Sequence, residues 1–293
     1  MLGSPDVEAV LAWSAGRRDD LPWRQTRDPW AVLVSELMLQ QTQVSRVIPR
    51  WHQFLERFPS APACANAPLG DVVTEWAGLG YNRRAVNLHR AAVVVTNDYA
   101  GVVPDDLEAL LALPGLGPYT ARAVLAFAYE QDMAVVDTNV GRILARQRGE
   151  RLSARVAQTF ADDIVPIGMG WSWNQGMLDL GALVCTKRAP KCDVCPTSST
   201  CAWLIGGAIE PDPAIGSAAV SKGQSKFVGS FREGRARLLD VLRTGIEIPP
   251  EQFQNACGWN DRDGGALDAV RAADSLVRDG LAVKRCDGAL ALP

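Results

Sequence analysis

Residues 113–146, LPGLGPYTARAVLAFAYEQDMAVVDTNVGRILAR, constrain the fold more than any other stretch of the chain. Gly115 and Gly117 lie two apart, so the backbone can turn tightly there with its amides facing outward, as residues bearing a Cβ would not. The TARAVLAFAY that follows has a helical pattern, and the start of that helix adds a partial positive charge to the free amides. A phosphate fits such a turn, and helix, glycine turn and helix together make a helix-hairpin-helix. At the far end, Val135-Val136-Asp137 places an acid after a short apolar run and before another helix. Taken alone, Asp137 reads best as an N-cap.

The rest of the chain sets the class. With 293 residues, 47% of them hydrophobic, two or three domains with ample core are expected. Alanine, valine and leucine at helical spacing dominate the first two thirds and alternating patterns are scarce, so the class is mainly α. No run of eighteen apolar residues occurs, and the N-terminus carries acidic residues where a signal peptide has basic ones; a cytoplasmic protein with no membrane partner is expected. The net charge of −3 does not announce a nucleic-acid binder. A basic surface would have to be local, drawn from Arg83, Arg84 and Arg90, from Arg142, Arg146 and Arg148, or from Lys187, Arg188 and Lys191. Taken alone, each of these clusters reads better as a solvated face.

In chain order, Asp28-Pro29 predicts a helix start, with apolar residues at 30, 33, 34, 37 and 38 forming one buried stripe. Glu36 sits beside that stripe. Partial desolvation would raise its carboxyl pKa and let it hold a proton near neutrality; the plainer reading is a surface glutamate. Gln40-Gln41-Thr42-Gln43 offers amides that can pair with base edges, before a second helix through Val44, Val47, Trp51 and Phe54. Trp76-Ala77-Gly78-Leu79-Gly80-Tyr81 is a second glycine turn, whose tyrosine reads either as a wedge for a base stack or as a core residue after a helix stop.

Cys185, Cys192, Cys195 and Cys201 follow the spacing C-x6-C-x2-C-x5-C, which in a cytoplasmic chain points to a metal site rather than to disulfides. Thiolates serve zinc and a [4Fe-4S] cluster alike, so ligand type leaves that choice open. Residues 204–228, rich in Gly, Ala, Pro and Ser, read as a linker. Beyond them, GRARLLDVLR, EQFQNA and ALDAVRAADSLVRD predict three helices, and LAVKRCDGALALP two short strands about Asp287-Gly288, so that residues 229–293 make a small winged-helix-like domain.

Taken together, LPWR at 21–24, SELMLQQTQV at 35–44, WAGLGYNRRAVNLHRAA at 76–92, LPGLGPYTA at 113–121, VVDTNVGRILAR at 135–146, NQGMLDLGALVC at 174–185 and the four-cysteine loop resemble the helix-hairpin-helix DNA glycosylase superfamily. Within it they are most similar to the endonuclease III-like A/G-specific adenine glycosylases of the MutY family. The resemblance covers residues 8–203. It implies a six-helix module over residues 22–131, an iron-sulfur cluster domain from residues 1–21 and 132–203, and a [4Fe-4S] cluster on Cys185, Cys192, Cys195 and Cys201. It implies Glu36 as the acid that protonates adenine and Asp137 as the carboxylate that stabilises the sugar cation. Arg24, Tyr119, Asn139, Gln175 and Asp179 fall at adenine-pocket positions. Gln41, Thr42 and Tyr81 fall where the family intercalates and senses the opposite base. Gly115, Gly117, Arg142, Lys187, Arg188 and Lys191 fall at DNA-backbone positions, with a monovalent cation at the hairpin.

The implied reaction is excision of adenine opposite 8-oxoguanine or guanine in double-stranded DNA, as base excision repair, by a monomeric nucleoid-associated enzyme that flips the base out. Tyr119 stands where bifunctional relatives have a lysine, so strand cleavage is not expected. Residues 229–293 depart from the family: they are too few for the NUDIX-like domain that bacterial members carry. Two rival readings remain, a glycosylase for thymine or uracil opposite guanine and a non-catalytic iron-sulfur DNA-binding protein.

Overall fold

The computed structural model describes residues 3–217, 226–260 and 264–293, and 57% of the described residues are helical. In chain order the helices are α1 (Val7–Ser14), α2 (Pro29–Leu39), α3 (Val44–Arg57), α4 (Ala61–Ala65), α5 (Leu69–Glu75), α6 (Arg83–Asp98), α7 (Leu107–Ala112) and α8 (Pro118–Phe127). They continue with α9 (Thr138–Arg148), α10 (Ala154–Asp163), α11 (Gly170–Leu183), α12 (Ala202–Ile205), α13 (Phe231–Leu242), α14 (Phe253–Cys257) and α15 (Gly265–Arg278). The only sheet among the described residues pairs β1 (Val283–Lys284) antiparallel with β2 (Leu290–Ala291). The chain divides into two compact units, one of Met1–Val32, Asp105–Glu108 and Leu116–Gly223, the other of Leu33–Pro104, Ala109–Gly115 and Gln224–Pro293.

In the first unit, α11 packs against α1 and α9 around Val10, Ile143, Leu144, Trp173, Met177 and Leu180, all nearly inaccessible. Small residues set how close these helices come. A Cβ on Gly176 would stand 2.8 Å from Ser14 Oγ, and one on Gly181 2.6 Å from the Cβ of Asn139. Part of the stretch read as a linker belongs here: Asp212 pairs with Arg146 at 2.6 Å, and Ser217 Oγ accepts from the Leu152 amide at 3.1 Å. The remainder, residues 218–225, lies outside the described residues.

The second unit holds the helices that carry the Gln41 and Tyr81 turns and, from Leu33 onward, the part of α2 that carries Glu36, the start of α2 belonging to the first unit. As expected, Asp28 accepts from the Trp30 amide at 3.0 Å and α2 starts at Pro29. The single buried stripe expected on α2 is an underestimate. Ala31, Val32 and Ser35 are buried as well as Leu33, Val34, Leu37 and Met38, so α2 is enclosed on every side. Phe54 of α3 meets Trp76 edge-on at 5.9 Å, closing α3 against the end of α5.

The same unit contains the C-terminal domain in the form the sequence predicts, three helices followed by a hairpin. Gly288 takes a positive φ of 87° at the turn. Ile248 adds a one-residue bridge to Leu290, with both amides bonded at 2.9 and 2.8 Å. The domain is fastened by its last residue: the carbonyl of Pro293 accepts from the Gly70 amide at 3.1 Å.

Candidate active site and cysteine cavity

Asp137 is the N-cap of α9, and its carboxylate is held by three donors. Oδ1 accepts from the amides of Asn139 and Val140, both at 2.7 Å, and Oδ2 from Asn139 Nδ2 at 2.8 Å. Burial pushes its pKa up, and those donors with the Arg142 charge offset only part of the shift. The approach to this residue is fixed by Asn174, buried in α11, which accepts from the Val135 amide at 2.8 Å and donates to the carbonyl of Met133 at 2.8 Å. Sequence reasoning gives Asn174 no role; the available signal is an amide amid the apolar positions of an otherwise buried helix.

Arg142, expected among the DNA-backbone contacts, is buried instead. It donates to Cys185 O at 2.6 Å, Gly181 O at 2.5 Å and Asn139 Oδ1 at 2.9 Å, so it braces the Asp137 cap from within. Lys187, Arg188 and Lys191 are exposed, as a surface contact requires.

Arg24 and Asp179 form a buried bidentate pair, with Nη1 and Nη2 both 2.9 Å from the carboxylate, and Arg18 adds a third bond to Asp179 at 3.2 Å. Together with Gln175 they line a cavity of about 300 Å³ beside α1. Three expected adenine-pocket residues are thus brought together, although Asp179 has its charge neutralised by arginine. Asn139 belongs with Asp137, and Tyr119 is half-buried on the first turn of α8.

Cys185, Cys192, Cys195 and Cys201 line one cavity, closed by Leu180, Val184, Pro190, Trp203 and Leu204. All four are free. Arg146 is nearly inaccessible beside them: it donates to Cys185 Sγ at 3.2 Å, pairs with Asp212 and lies 5.0 Å from the ring centre of Trp203. A fixed guanidinium there would offset part of the negative charge that four thiolates bring.

In the second unit, Glu36 is 6% exposed, which removes the surface-glutamate reading. Two turns nearby in the chain carry strained backbone. Gln41 and Tyr81 both have positive φ, 55° and 45°, a region costly for residues with a Cβ, and Tyr81 is 45% exposed. Both turns hang on Arg84. Its Nη1 donates to the carbonyls of Leu37, Met38 and Gln40 at 2.6, 2.9 and 2.7 Å; its Nη2 donates to Thr42 Oγ1, Leu79 O and Gly80 O at 3.0, 3.2 and 2.9 Å. Burial lowers its pKa to about 10, which leaves it charged at neutrality. Arg84 is an internal fastener rather than part of a basic surface.

The hairpin turn has the expected conformation. Gly115 has φ 81°, and a Cβ there would stand 2.5 Å from that of Asn87, so only glycine fits. Gly117 caps α8 with Pro118 at the first helical position.

The family model of the HhH-GPD superfamily base excision DNA repair proteins matches residues 34–161. An adenine DNA glycosylase of Mycobacterium tuberculosis is 41% identical over 291 residues, covering 97% of this chain and 92% of its own length. The chain belongs to the HhH-GPD superfamily. A thymine/uracil-DNA glycosylase of Methanothermobacter thermautotrophicus is 34% identical over 204 residues, covering 67% of this chain and 92% of its own. Among solved structures, a thermostable thymine-DNA glycosylase superposes with a TM-score of 0.64 at 32% identity, over 68% of this chain and 95% of that one.

Proposed function

We propose that this chain is a monofunctional DNA glycosylase that removes adenine opposite 8-oxoguanine or guanine from double-stranded DNA. The observation that carries the reading is the state of two acids, each within its own unit: a glutamate enclosed in the apolar helix α2, and an aspartate fixed by three N–H donors at the start of α9. Breaking an N-glycosidic bond needs a proton for the departing purine and a negative charge for the developing sugar cation, a division of labour shared with retaining glycoside hydrolases. Glu36 gives its proton to N7 as the C1′–N9 bond breaks and the electron pair moves onto the purine. Asp137 stays ionised against the oxocarbenium ion, and water adds at C1′ to leave an abasic site.

The choice of adenine is supported by the reach of the similarity. The adenine glycosylase of Mycobacterium tuberculosis matches this chain through its C-terminal domain, whereas the thymine/uracil enzyme covers only two thirds of it. Thymine or uracil opposite guanine is the second reading, favoured by the thymine-DNA glycosylase superposition.

The four cysteines suit a [4Fe-4S] cluster. All four cysteines line one cavity, and four thiolates are a ligand set that such a cluster takes. Once bound, such a cluster would tie the loop of residues 185–201 together and so hold Lys187, Arg188 and Lys191 toward the DNA backbone.

Glu36→Gln is expected to lower single-turnover excision from an A·8-oxoG duplex by about 10²–10⁴-fold, with DNA affinity nearly unchanged. A normal rate would falsify the acid role. On duplexes with T or U opposite G the wild-type chain should release no base; release there and not from A·G would establish the second reading. Tyr119 has no amine with which to form a Schiff base, so borohydride added during turnover should trap no covalent protein–DNA adduct. A good yield of adduct would overturn the monofunctional assignment.

A further inference from the structure

The C-terminal domain does not hang from the rest of its unit by the chain alone. Arg243, just past the end of α13, donates to Val73 O at 3.1 Å and to Asn82 Oδ1 at 2.8 Å, which places α13 beside the Tyr81 turn. Leu238, Leu239 and Leu242 bury one side of α13. Arg232, Arg235, Ala236, Asp240 and Arg243, the last just past the helix end, line a cavity of about 570 Å³ whose other wall is Gln41, Thr42, Arg46 and Gly78–Asn82.

The chemistry of that cavity is cationic. Four arginines face it, from α3 and from the C-terminal domain, and the one acid in its wall, Asp240, is paired with Arg243 at 2.7 Å. Arg235 bonds Asp279 through Nη2, while its Nε is buried without a hydrogen-bond partner. Arg232 is exposed. A second cavity of about 330 Å³ continues from Arg235 past Gln41 and Tyr81 to Arg83, Arg84 and Asn87, the residue on which Gly115 of the hairpin rests. Two cavities that share Arg235 and have further arginines in their walls are suited to phosphates, since the planar guanidinium donates in pairs to phosphate oxygens.

We infer that the C-terminal domain is a second DNA-contacting element, in which α13 holds the phosphodiester backbone of the strand opposite the excised base through Arg232 and Arg235. The inference rests on the glycosylase reading above. It assigns a role to the segment that departs from the family pattern: instead of a separate domain reading the opposite base, α13 fixes that strand against the Gln41 and Tyr81 turns.

The test is the salt dependence of binding to an uncleavable duplex. Every phosphate that the protein neutralises adds about 0.9 to the slope of log affinity against log salt, so Arg232→Ala/Arg235→Ala should lower it by about 1.8 and weaken binding about tenfold or more at 0.15 M salt. The weakening should be equal for A·8-oxoG, A·G and matched duplexes, because phosphates carry no sequence. Arg232→Glu changes an exposed residue and guards against misfolding of the double variant; it should weaken binding further. Arg271, exposed on α15 and paired with Asp268, lies outside the cavity, and Arg271→Ala should bind like the wild type. Unchanged slope and affinity in Arg232→Glu would overturn the inference, and so would a weakening confined to the 8-oxoguanine duplex, which would make the cavity a base reader. If the wild type excises no base from any duplex, the glycosylase reading fails; if it excises normally while the slope stays put, only the role of α13 fails.

Discussion

An Asp137→Asn chain is expected to fold, and to lose about 10²–10³-fold in single-turnover excision. Asparagine caps a helix as well as aspartate does, so the amides of Asn139 and Val140 keep their acceptor. What is lost is the negative charge facing the sugar. The stability effect has a definite sign. Burial raises the pKa of Asp137 in the folded chain, so its contribution is fully favourable below its unfolded value and is lost as pH rises through the folded one. Asparagine carries no such penalty. The stability of Asp137→Asn relative to wild type should therefore improve as pH is raised from about 4 toward neutrality. Denaturant midpoints across that range measure it, and a difference that shrank with pH would show that the carboxylate is not desolvated. The same shift sets the acid limb of excision. Activity should fall as pH drops through a value above the ordinary aspartate range, because a protonated Asp137 cannot stabilise a cation.

Features that depend on neighbours in sequence were legible. The Asp28-Pro29 helix start, the Gly115 turn, the cysteine spacing and the Asp287-Gly288 hairpin each follow from local backbone requirements, and the structure carries them as expected. The arginines were not legible. Arg84, Arg142 and Arg146 stand in clusters that resemble a basic face, yet all three are buried, because each has among its partners carbonyls or a carboxylate about forty or more residues away in sequence. Periodicity reports only that arginine is polar, and says nothing of a distant backbone group that needs a donor. Asp179 makes the same point from the other side. Its position on α11 suggests a group facing adenine, but Arg24, 155 residues earlier, takes both of its oxygens.

Arg84→Met should reveal what such an internal arginine does for function. The last carbonyls of α2 lack helical partners, and those of Leu37, Met38 and Gln40 converge on Nη1 while Leu79, Gly80 and Thr42 converge on Nη2. Methionine fills similar space with no donor, so several buried acceptors lose their partner at about 1–3 kcal/mol each, and a net loss of about 3–5 kcal/mol is expected. Arg84→Lys should fall between, since an ammonium cannot bridge two sets of acceptors as the planar fork does. The functional consequence follows from backbone strain. Positive φ at Gln41 and Tyr81 costs about 1–3 kcal/mol apiece and persists only while its surroundings enforce it. Without Arg84 both turns should relax, and the wedge they offer to the duplex should blunt. Excision from a fully paired duplex should then slow more than excision of an unpaired, bulged adenine, for which little stacking must be broken. An equal slowing on both substrates, measured below the variant's melting temperature, would mean that Arg84 supports the fold alone.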